Sequence, residues 1–380
     1  MNFDFSDDLN QLRDQARRYL AEHATTKHVR RVLDGEKPYD GALWLGMAEM
    51  GWLGAAIPEE YGGAGIGHEG LCVLAEELGR VVAPVPFASS VCQAAEALLI
   101  AGTPAQKRSY LPGFAAGMHI GTLAWAEGAG NPRAGALSAR YAGGKVSGTN
   151  WPVLDGGSAD LAVVTAQDEA GRPLLALADL RAGGVTRTIL ETVDPSRPQA
   201  KLVLDRVSAE PLGAPGEGVA LLHEVLDRAA VLMAFEQLGG ASVCLEMATA
   251  YAMERYAFGR PIGAFQSVSH MLADAIMWCD GAQLLGFEAL WAIDNRGNAG
   301  LEVSQAKSFA NDRLVPAVRI GQQIHGGIGF MMEFDIALYY RRVAAASMRL
   351  GTSFEHRERI AAALIDQPGT VRLGEPIATL

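Results

Sequence analysis

The chain has 380 residues, 49% hydrophobic and 20% charged, enough for two or three domains with their own cores and incompatible with a disordered chain. With 32 basic and 43 acidic residues the net charge is −11, which excludes a surface built to follow nucleic-acid phosphates. Glycine is the outlier: 44 residues, about 12% of the chain against a usual figure of about 7%.

The first block, residues 1–118, reads as helical. Phe5, Leu9, Leu12, Ala16 and Leu20 recur at helical spacing, with Ser6 placed to cap the first turn. Apolar stripes follow over 43–52, 70–82 and 91–101, and a turn-rich loop, IPEEYGGAGIG, occupies 57–67. The second block, 119–215, changes to short apolar runs at 121–126, 145–147, 161–166, 174–178, 184–188 and 201–204, separated by turn residues. Such spacing predicts a compact antiparallel β unit. No G-x-G-x-x-G follows a strand, so a Rossmann domain is not expected.

The third block, 216–380, returns to long helical periodicity. Helices are predicted over 218–256, from there to about 294, over 300–324 and over 353–365. The first two are divided at FGRPIG, where Gly259 suits a helix end and Pro261 a helix start. Four long helices with short joints read as a bundle, and 367–380 as a loosely held tail. The cysteines Cys72, Cys92, Cys244 and Cys279 are far apart and form no C-x-x-C pair, which suits a reducing interior and gives no metal-site spacing. The acidic start, MNFDFSDDLN, has no apolar core of a signal peptide, and no run reaches a membrane span, so a cytoplasmic location is expected.

Residues 254–266, ERYAFGRPIGAFQ, taken alone describe a junction between helices with an arginine near a helix C-terminus. Residues 323–330, QIHGGIGF, set three glycines where backbone can approach a ligand closely. With the segments GMAEMGWLG (46–54) and IPEEYGG (57–63), they resemble the acyl-CoA dehydrogenase family over nearly the whole chain.

That resemblance implies an α+β fold of three parts: an N-terminal helical domain, a middle antiparallel β-barrel domain and a C-terminal four-helix bundle. It also implies FAD bound without a covalent link, and tetramers made of paired dimers. In the family the R-x-x-F-G-x-x-I-x-x-F-Q and Q-x-x-G-G-x-G segments hold the adenosine and diphosphate of FAD across a subunit interface. The matching residues here are Arg255, Phe258 and Gln266, then Gln323, Gly326 and Gly327. An arginine fork suits phosphate oxygens. Thr352, in a Gly-Thr pair, matches a position beside the flavin, and Asp227 one near the pantetheine arm of CoA. For His325 the alternatives are a structural role or water contact and a catalytic one.

The implied reaction converts an acyl-CoA thioester to the 2,3-enoyl-CoA. A carboxylate takes the α-proton while the β-hydrogen leaves as hydride to the flavin, and electron-transfer flavoprotein is the implied acceptor. The family polarises the thioester carbonyl with the flavin 2′-hydroxyl and one backbone N–H. The chain departs from this pattern at its base. The position directly before the Gly-Thr pair is Leu350, and the alternative, 26 residues before Arg255, is Ala229. The flavin shell departs as well: the stretch that is T-E-P-G-A-G-S-D in the family reads A-E-G-A-G-N-P from Ala126, and Trp151 is shifted by one in N-W-P-V-L.

Glu236 is a candidate base, two helical turns beyond Ala229 on roughly the same face; the alternative is a buried glutamate paired with an arginine. Asp227 points about 200° away from Ala229 and is the weaker candidate. The small residues Ala229, Ala230, Ala234, Gly239 and Gly240 suit either a roomy acyl pocket or close helix packing. Three functions follow: a dehydrogenase with an unusual base, a catalytically incomplete subunit of an α2β2 heterotetramer, or a flavin oxidase or monooxygenase on the same fold. The assembly expected is accordingly a homotetramer or that heterotetramer.

Overall fold

The computed structural model describes residues 6–128, 137–297 and 299–366. Helices α1 (Asp7–His23), α2 (Thr26–Leu33), α3 (Gly41–Glu49), α4 (His68–Arg80), α5 (Phe87–Ser89), α6 (Glu96–Ala101) and α7 (Pro104–Ala115) form the first block, with a wider π-turn at Ser90–Ala95. Strands β1 (Gly121–Ala124), β2 (Arg140–Ala142), β3 (Lys145–Leu154), β4 (Leu161–Gln167), β5 (Pro173–Asp179), β6 (Val185–Leu190) and β7 (Gln199–Leu212) follow. The remainder comprises α8 (Gly218–Glu254), the hairpin β8 (Tyr256–Ala257) and β9 (Arg260–Pro261), α9 (Gln266–Arg296), α10 (Gly300–His325), α11 (Ile336–Ala346) and α12 (Ser353–Leu364).

The chain divides into two compact units. One contains Lys27–Leu71 and Pro84–Ala229; the other contains the chain up to Thr26, Cys72–Ala83 and the chain from Ala230 onward. In the first, β4 pairs with β5, β5 with β7, β7 with β3, β3 with β2 and β2 with β4, so the sheet returns on itself; β6 pairs with β7 alone. Closure removes the free edges that an open sheet leaves exposed, apart from the outer side of β6. Most pairs are antiparallel as expected. The exception of any length is β1 beside β4, which is parallel in register Gly121↔Leu161 to Ala124↔Val164. Its connection spans β2 and β3, long enough for a crossover that no hairpin can make. A core of Leu111, Phe114, Leu123, Val163, Leu177, Leu212 and Leu222 joins α7 to the strands and to the start of α8.

In the second unit, Ser6 caps α1 by accepting from the Leu9 amide at 3.3 Å, as its position predicts. Arg13 and Arg17 of α1 pair with Glu76 and Glu77 of α4 at 3.3 and 2.6 Å. Helices α4 and α8 meet backbone to backbone. A Cβ at Gly79 would lie 2.1 Å from the Glu236 carbonyl oxygen, and one at Gly239 would lie 2.0 Å from that of Glu76. Gly239 therefore serves packing, whereas its sequence left packing and pocket space open. Ala248, Ala252 and Ile324 with Tyr251, Ile262 and Met271 pack α8, α9 and α10 together.

Several elements differ from expectation. At FGRPIG, α8 stops at Glu254 and α9 begins only at Gln266; between them Phe258 (φ 53°) and Gly259 (φ 81°) make the two-residue turn of a hairpin. Two successive left-handed residues are the geometry that closes a short hairpin. Strand β3 runs to Leu154 through Gly148, Asn150 and Pro152, with register shifts either side of Gly148–Asn150, which is why its apolar run read as three residues. Strand β2 and helix α11 were not foreseen. The segments of Ala129, Gly130, Asn131 and Pro132, and the tail 367–380, lie outside the described residues.

Candidate functional site

The Arg255 region is built by the end of α8, the hairpin and the end of α10. Helix α10 ends because Gly326 adopts φ 63°, ψ −139°, a conformation closed to residues with a Cβ. The chain then passes through a short turn, Gly326–Phe330. This leaves a cleft of about 850 Å³ whose walls include Arg255, His325, Gly326, Gly327 and Met331. Nothing lies within 4 Å of where a Cβ would stand on Gly326 or Gly327. The Arg255 guanidinium forms no ion pair among the described residues, so its donor fork is directed at no internal acceptor.

His325 is occupied in the wall of the cleft: its Nδ1 donates to the Gly321 carbonyl at 2.7 Å and its ring stacks on Tyr251 at 4.5 Å. That is the structural alternative of the two open to it. Phe258 stands 95% exposed at the hairpin tip, with Phe330 67% exposed and Met331 also on the surface. Arg260 lies over the Phe265 ring at 4.1 Å, and Gln266 opens α9 just beyond. Gln323 is exposed on the last turn of α10.

In the β unit, Ala126 and Trp151 come together through backbone. The Trp151 amide donates to the Ala126 carbonyl at 2.9 Å, and the Gly128 amide to the Trp151 carbonyl at 2.9 Å. Ala126 is buried while the Trp151 indole is 43% exposed. On the portion of α8 within this unit, Ala229 is buried and Asp227 half-buried.

The other unit holds a polar interior that the sequence did not announce. Arg342 of α11, 1% exposed, donates to Glu236 Oε1 at 2.9 Å and to the carbonyls of Ala83 and Val82 at 3.3 and 3.4 Å. Glu236 is thus the arginine-paired glutamate that was the alternative to a base. Beside it, the Lys307 ammonium is fully buried and donates to Gln237 Oε1 (2.8 Å), Asn311 Oδ1 (2.7 Å) and the Ala346 carbonyl (2.9 Å). Burial, followed by the positive charge of Arg349, pushes Lys307 down to about 7, while Glu236 acts in the opposite direction.

Leu350 and Gly351, between α11 and α12, both have positive φ, 57° and 99°. For leucine that conformation costs on the order of 1–3 kcal/mol and persists only where surroundings impose it. Thr352 caps α12 in a reciprocal box: its hydroxyl accepts from the Glu355 amide, and the Glu355 carboxylate accepts from the Thr352 amide at 2.8 Å. A free cluster of metal ligands does not occur among the described residues. None of the four cysteines is in a disulfide and all are buried; Cys279 is pushed up to about 12 by burial and then by Asp280, so it is no nucleophile at neutral pH.

The helix–sheet–helix order along the chain, with a glycine-lined cleft beside an arginine that has no ion pair among the described residues, suits an enzyme that holds a phosphate-bearing cofactor. Residues 216–365 match the family described as acyl-CoA dehydrogenase, C-terminal domain, and residues 6–118 the N-terminal domain of the same family. Acyl-CoA dehydrogenase IpdE2 of Mycolicibacterium smegmatis is 30% identical over 360 residues, covering 94% of this chain and 99% of the relative. Among solved structures, a variant of the Tcur3481-Tcur3483 steroid ACAD is 35% identical, with a TM-score of 0.86 over 93% of this chain and 97% of that one. The ChsE4-ChsE5 complex from Mycobacterium tuberculosis is 26% identical, with a TM-score of 0.88 over 97% and 100%.

The chain belongs to the acyl-CoA dehydrogenase family. It is accordingly an oxidoreductase acting on CH–CH bonds of acyl-CoA, with FAD as cofactor, and its fold is the three-part arrangement the resemblance implied. The Arg255 cleft fits that cofactor. A dinucleotide diphosphate needs an uncommitted cation and a backbone free of side chains, and both are present. No described helix is long and apolar enough to cross a membrane.

Proposed function

We propose that the chain works in the oxidation of an acyl-CoA thioester to the 2,3-enoyl-CoA as one subunit of an α2β2 heterotetramer, and that its partner subunit carries the catalytic carboxylate. The observation that carries this reading is the state of the three base positions. Leu350 and Ala229 have no acid, and the Glu236 carboxylate is committed to Arg342 at 2.9 Å. Taking up a proton at Glu236 would take from the buried Arg342 its carboxylate counter-charge and leave it facing neutral acceptors such as the Ala83 and Val82 carbonyls; breaking a buried pair costs about 3–5 kcal/mol in comparable sites. Relatives whose names join two proteins, Tcur3481-Tcur3483 and ChsE4-ChsE5, point the same way.

In this reading the bound flavin supplies the hydride acceptor. Arg255 meets the diphosphate with its fork, Gln323, Gly326 and Gly327 let backbone approach it, and Phe258 and Gln266 reach it across a subunit boundary. A phenylalanine 95% exposed beside Phe330 and Met331 supports such a boundary, since a lone chain gains nothing from displaying it. Trp151 and the backbone of Ala126 border the flavin edge, Thr352 sits beside it, and Asp227 lies toward the pantetheine arm of CoA. The Leu350 N–H is the donor left to polarise a thioester carbonyl where the acid itself is missing.

The acceptor proposed is electron-transfer flavoprotein and the location cytoplasmic. The steroid-acting relative at 35% identity favours a bulky acyl group. The test is anaerobic addition of acyl-CoAs to the purified chain, alone and co-expressed with candidate partners. Bleaching of the flavin only in the co-expressed form is expected. Bleaching by the chain alone overturns the partner-base reading in favour of a homotetrameric dehydrogenase, and rapid peroxide formation in air points to an oxidase.

A further inference from the structure

The turn between α11 and α12 is held by its carbonyls, and each holder is a buried side chain. The Lys307 ammonium takes the Ala346 carbonyl at 2.9 Å. Asn311, whose Oδ1 accepts from the same ammonium at 2.7 Å, donates through Nδ2 to the Gly351 carbonyl at 3.2 Å. Gln237, whose Oε1 accepts from Lys307, donates through Nε2 to the Val343 carbonyl at 3.3 Å. The Leu350 carbonyl accepts from His356 Nε2 at 3.0 Å. Val343, Ala346 and Gly351 are therefore tied, directly or through one amide, to a single nitrogen.

The stoichiometry is specific. An ammonium has three donors and no acceptor, and Lys307 Nζ faces three oxygens at 2.7–2.9 Å. A lysine placed only to fill space would not need three oriented acceptors in the interior, where an unmade bond to a charge is costly. What the ammonium organises is the segment that forces Leu350 and Gly351 into positive φ. Gly351 has no latitude there: a Cβ on it would stand 2.5 Å from His356 Nε2.

We propose that Lys307 is a positioning residue for flavin binding: through Asn311, Gln237 and the Ala346 carbonyl it fixes the Leu350–Gly351–Thr352 backbone in the conformation that borders the flavin. The assignment rests on reading Gly351–Thr352 as neighbours of the flavin. It is independent of which subunit supplies the base.

The test uses the flavin-loaded oligomer, co-expressed with whatever partner loads it, and compares Lys307→Met with the wild type and with Gly239→Ala. The glycine variant is destabilised by overpacking α4 against α8 and touches none of the four carbonyls. Flavin affinity is read by quenching of FAD fluorescence, and amide hydrogen exchange over 347–352 is read on the flavin-free protein. Lys307→Met is expected to weaken FAD binding about tenfold or more and to speed exchange in that segment. Gly239→Ala is expected to lower the melting temperature while leaving both readouts near wild type. A Lys307→Met protein with wild-type FAD affinity, or one that loses no more affinity than Gly239→Ala, overturns the assignment. Where Lys307→Met does not fold, Asn311→Ala, which removes the Gly351 arm together with one of the three Lys307 acceptors, is held to the same criterion with a loss of about fivefold. Acyl-CoA turnover is not among these readouts, so a failure of the partner-base reading leaves this one standing, and the reverse also holds.

Discussion

Two cationic regions of one unit of this chain have opposite character. Around Lys307 and Arg342 every charge meets an oriented acceptor, and both side chains are sealed from water. Around Arg255 the guanidinium has no ion-pair partner among the described residues, the adjacent backbone is bare glycine, and aromatic rings stand in solvent. A buried cation must be satisfied internally because its desolvation is not otherwise recovered. An uncommitted arginine beside a cleft is satisfied by what binds. The first pattern is that of architecture and the second suits a ligand edge, even though residue type alone does not separate them.

Interior variants are expected to damage the fold, reaching flavin retention only through the Leu350–Thr352 turn that Lys307 holds, whereas edge variants are expected to damage flavin retention directly. The largest effect is expected from Arg342→Ala, which takes from the buried Glu236 its arginine. It should cost about 3–5 kcal/mol by denaturant unfolding, with most of that loss recovered when Glu236→Leu accompanies Arg342→Met. A single variant as stable as wild type would show that the pair contributes nothing to the interior.

Next is the pH dependence set by Lys307. Its value in the fold is lowered to about 7 from the ordinary 10.5, so the folded state binds this proton less readily than the unfolded chain. The resulting penalty is fully present below about 7, shrinks as pH rises and is gone above 10.5, with a slope of up to about 1.4 kcal/mol per pH unit. Stability measured from pH 7 to 10 should therefore rise relative to Lys307→Met; parallel curves would refute the depressed value.

At the edge, Arg255→Ala should reduce flavin retention about ten- to a hundredfold, the equivalent of about 1.5–3 kcal/mol for a charged hydrogen bond, with the helical circular dichroism unchanged. Normal flavin occupancy in that variant would remove Arg255 from the site. The smallest effect is expected at Thr352, where the two patterns meet. Thr352→Ala loses the cap of α12, worth about 1 kcal/mol, and Thr352→Ser should restore it.

What the sequence disclosed was whatever depends on neighbours in the chain. The Ser6 cap, the long run of α8, the extent of α10, predicted over 300–324, and the missing acids at Leu350 and Ala229 are all local statements. The hairpin at Phe258–Gly259 was hidden because the same Gly and Pro also suit a helix end and a helix start. The Lys307 network was hidden for a different reason. Lys307 and Asn311 are four apart, as solvent-facing polar pairs on a helix commonly are, and their partners come from 70 residues earlier and 39 later. Glu236 was nominated by its helical position, but its partner Arg342 is 106 residues away, and only the fold brings them together.

The hairpin tip bears on how such a protein must be produced. A face carrying Phe258, Phe330 and Met331 in water is a liability for any copy that lacks its counterpart, because exposed apolar patches drive nonspecific association. Surplus chains would collect as orphans, prone to clumping or to removal by proteolysis. In the heterotetramer proposed above, matched synthesis of the subunits, in number and in time, would follow from a few exposed rings.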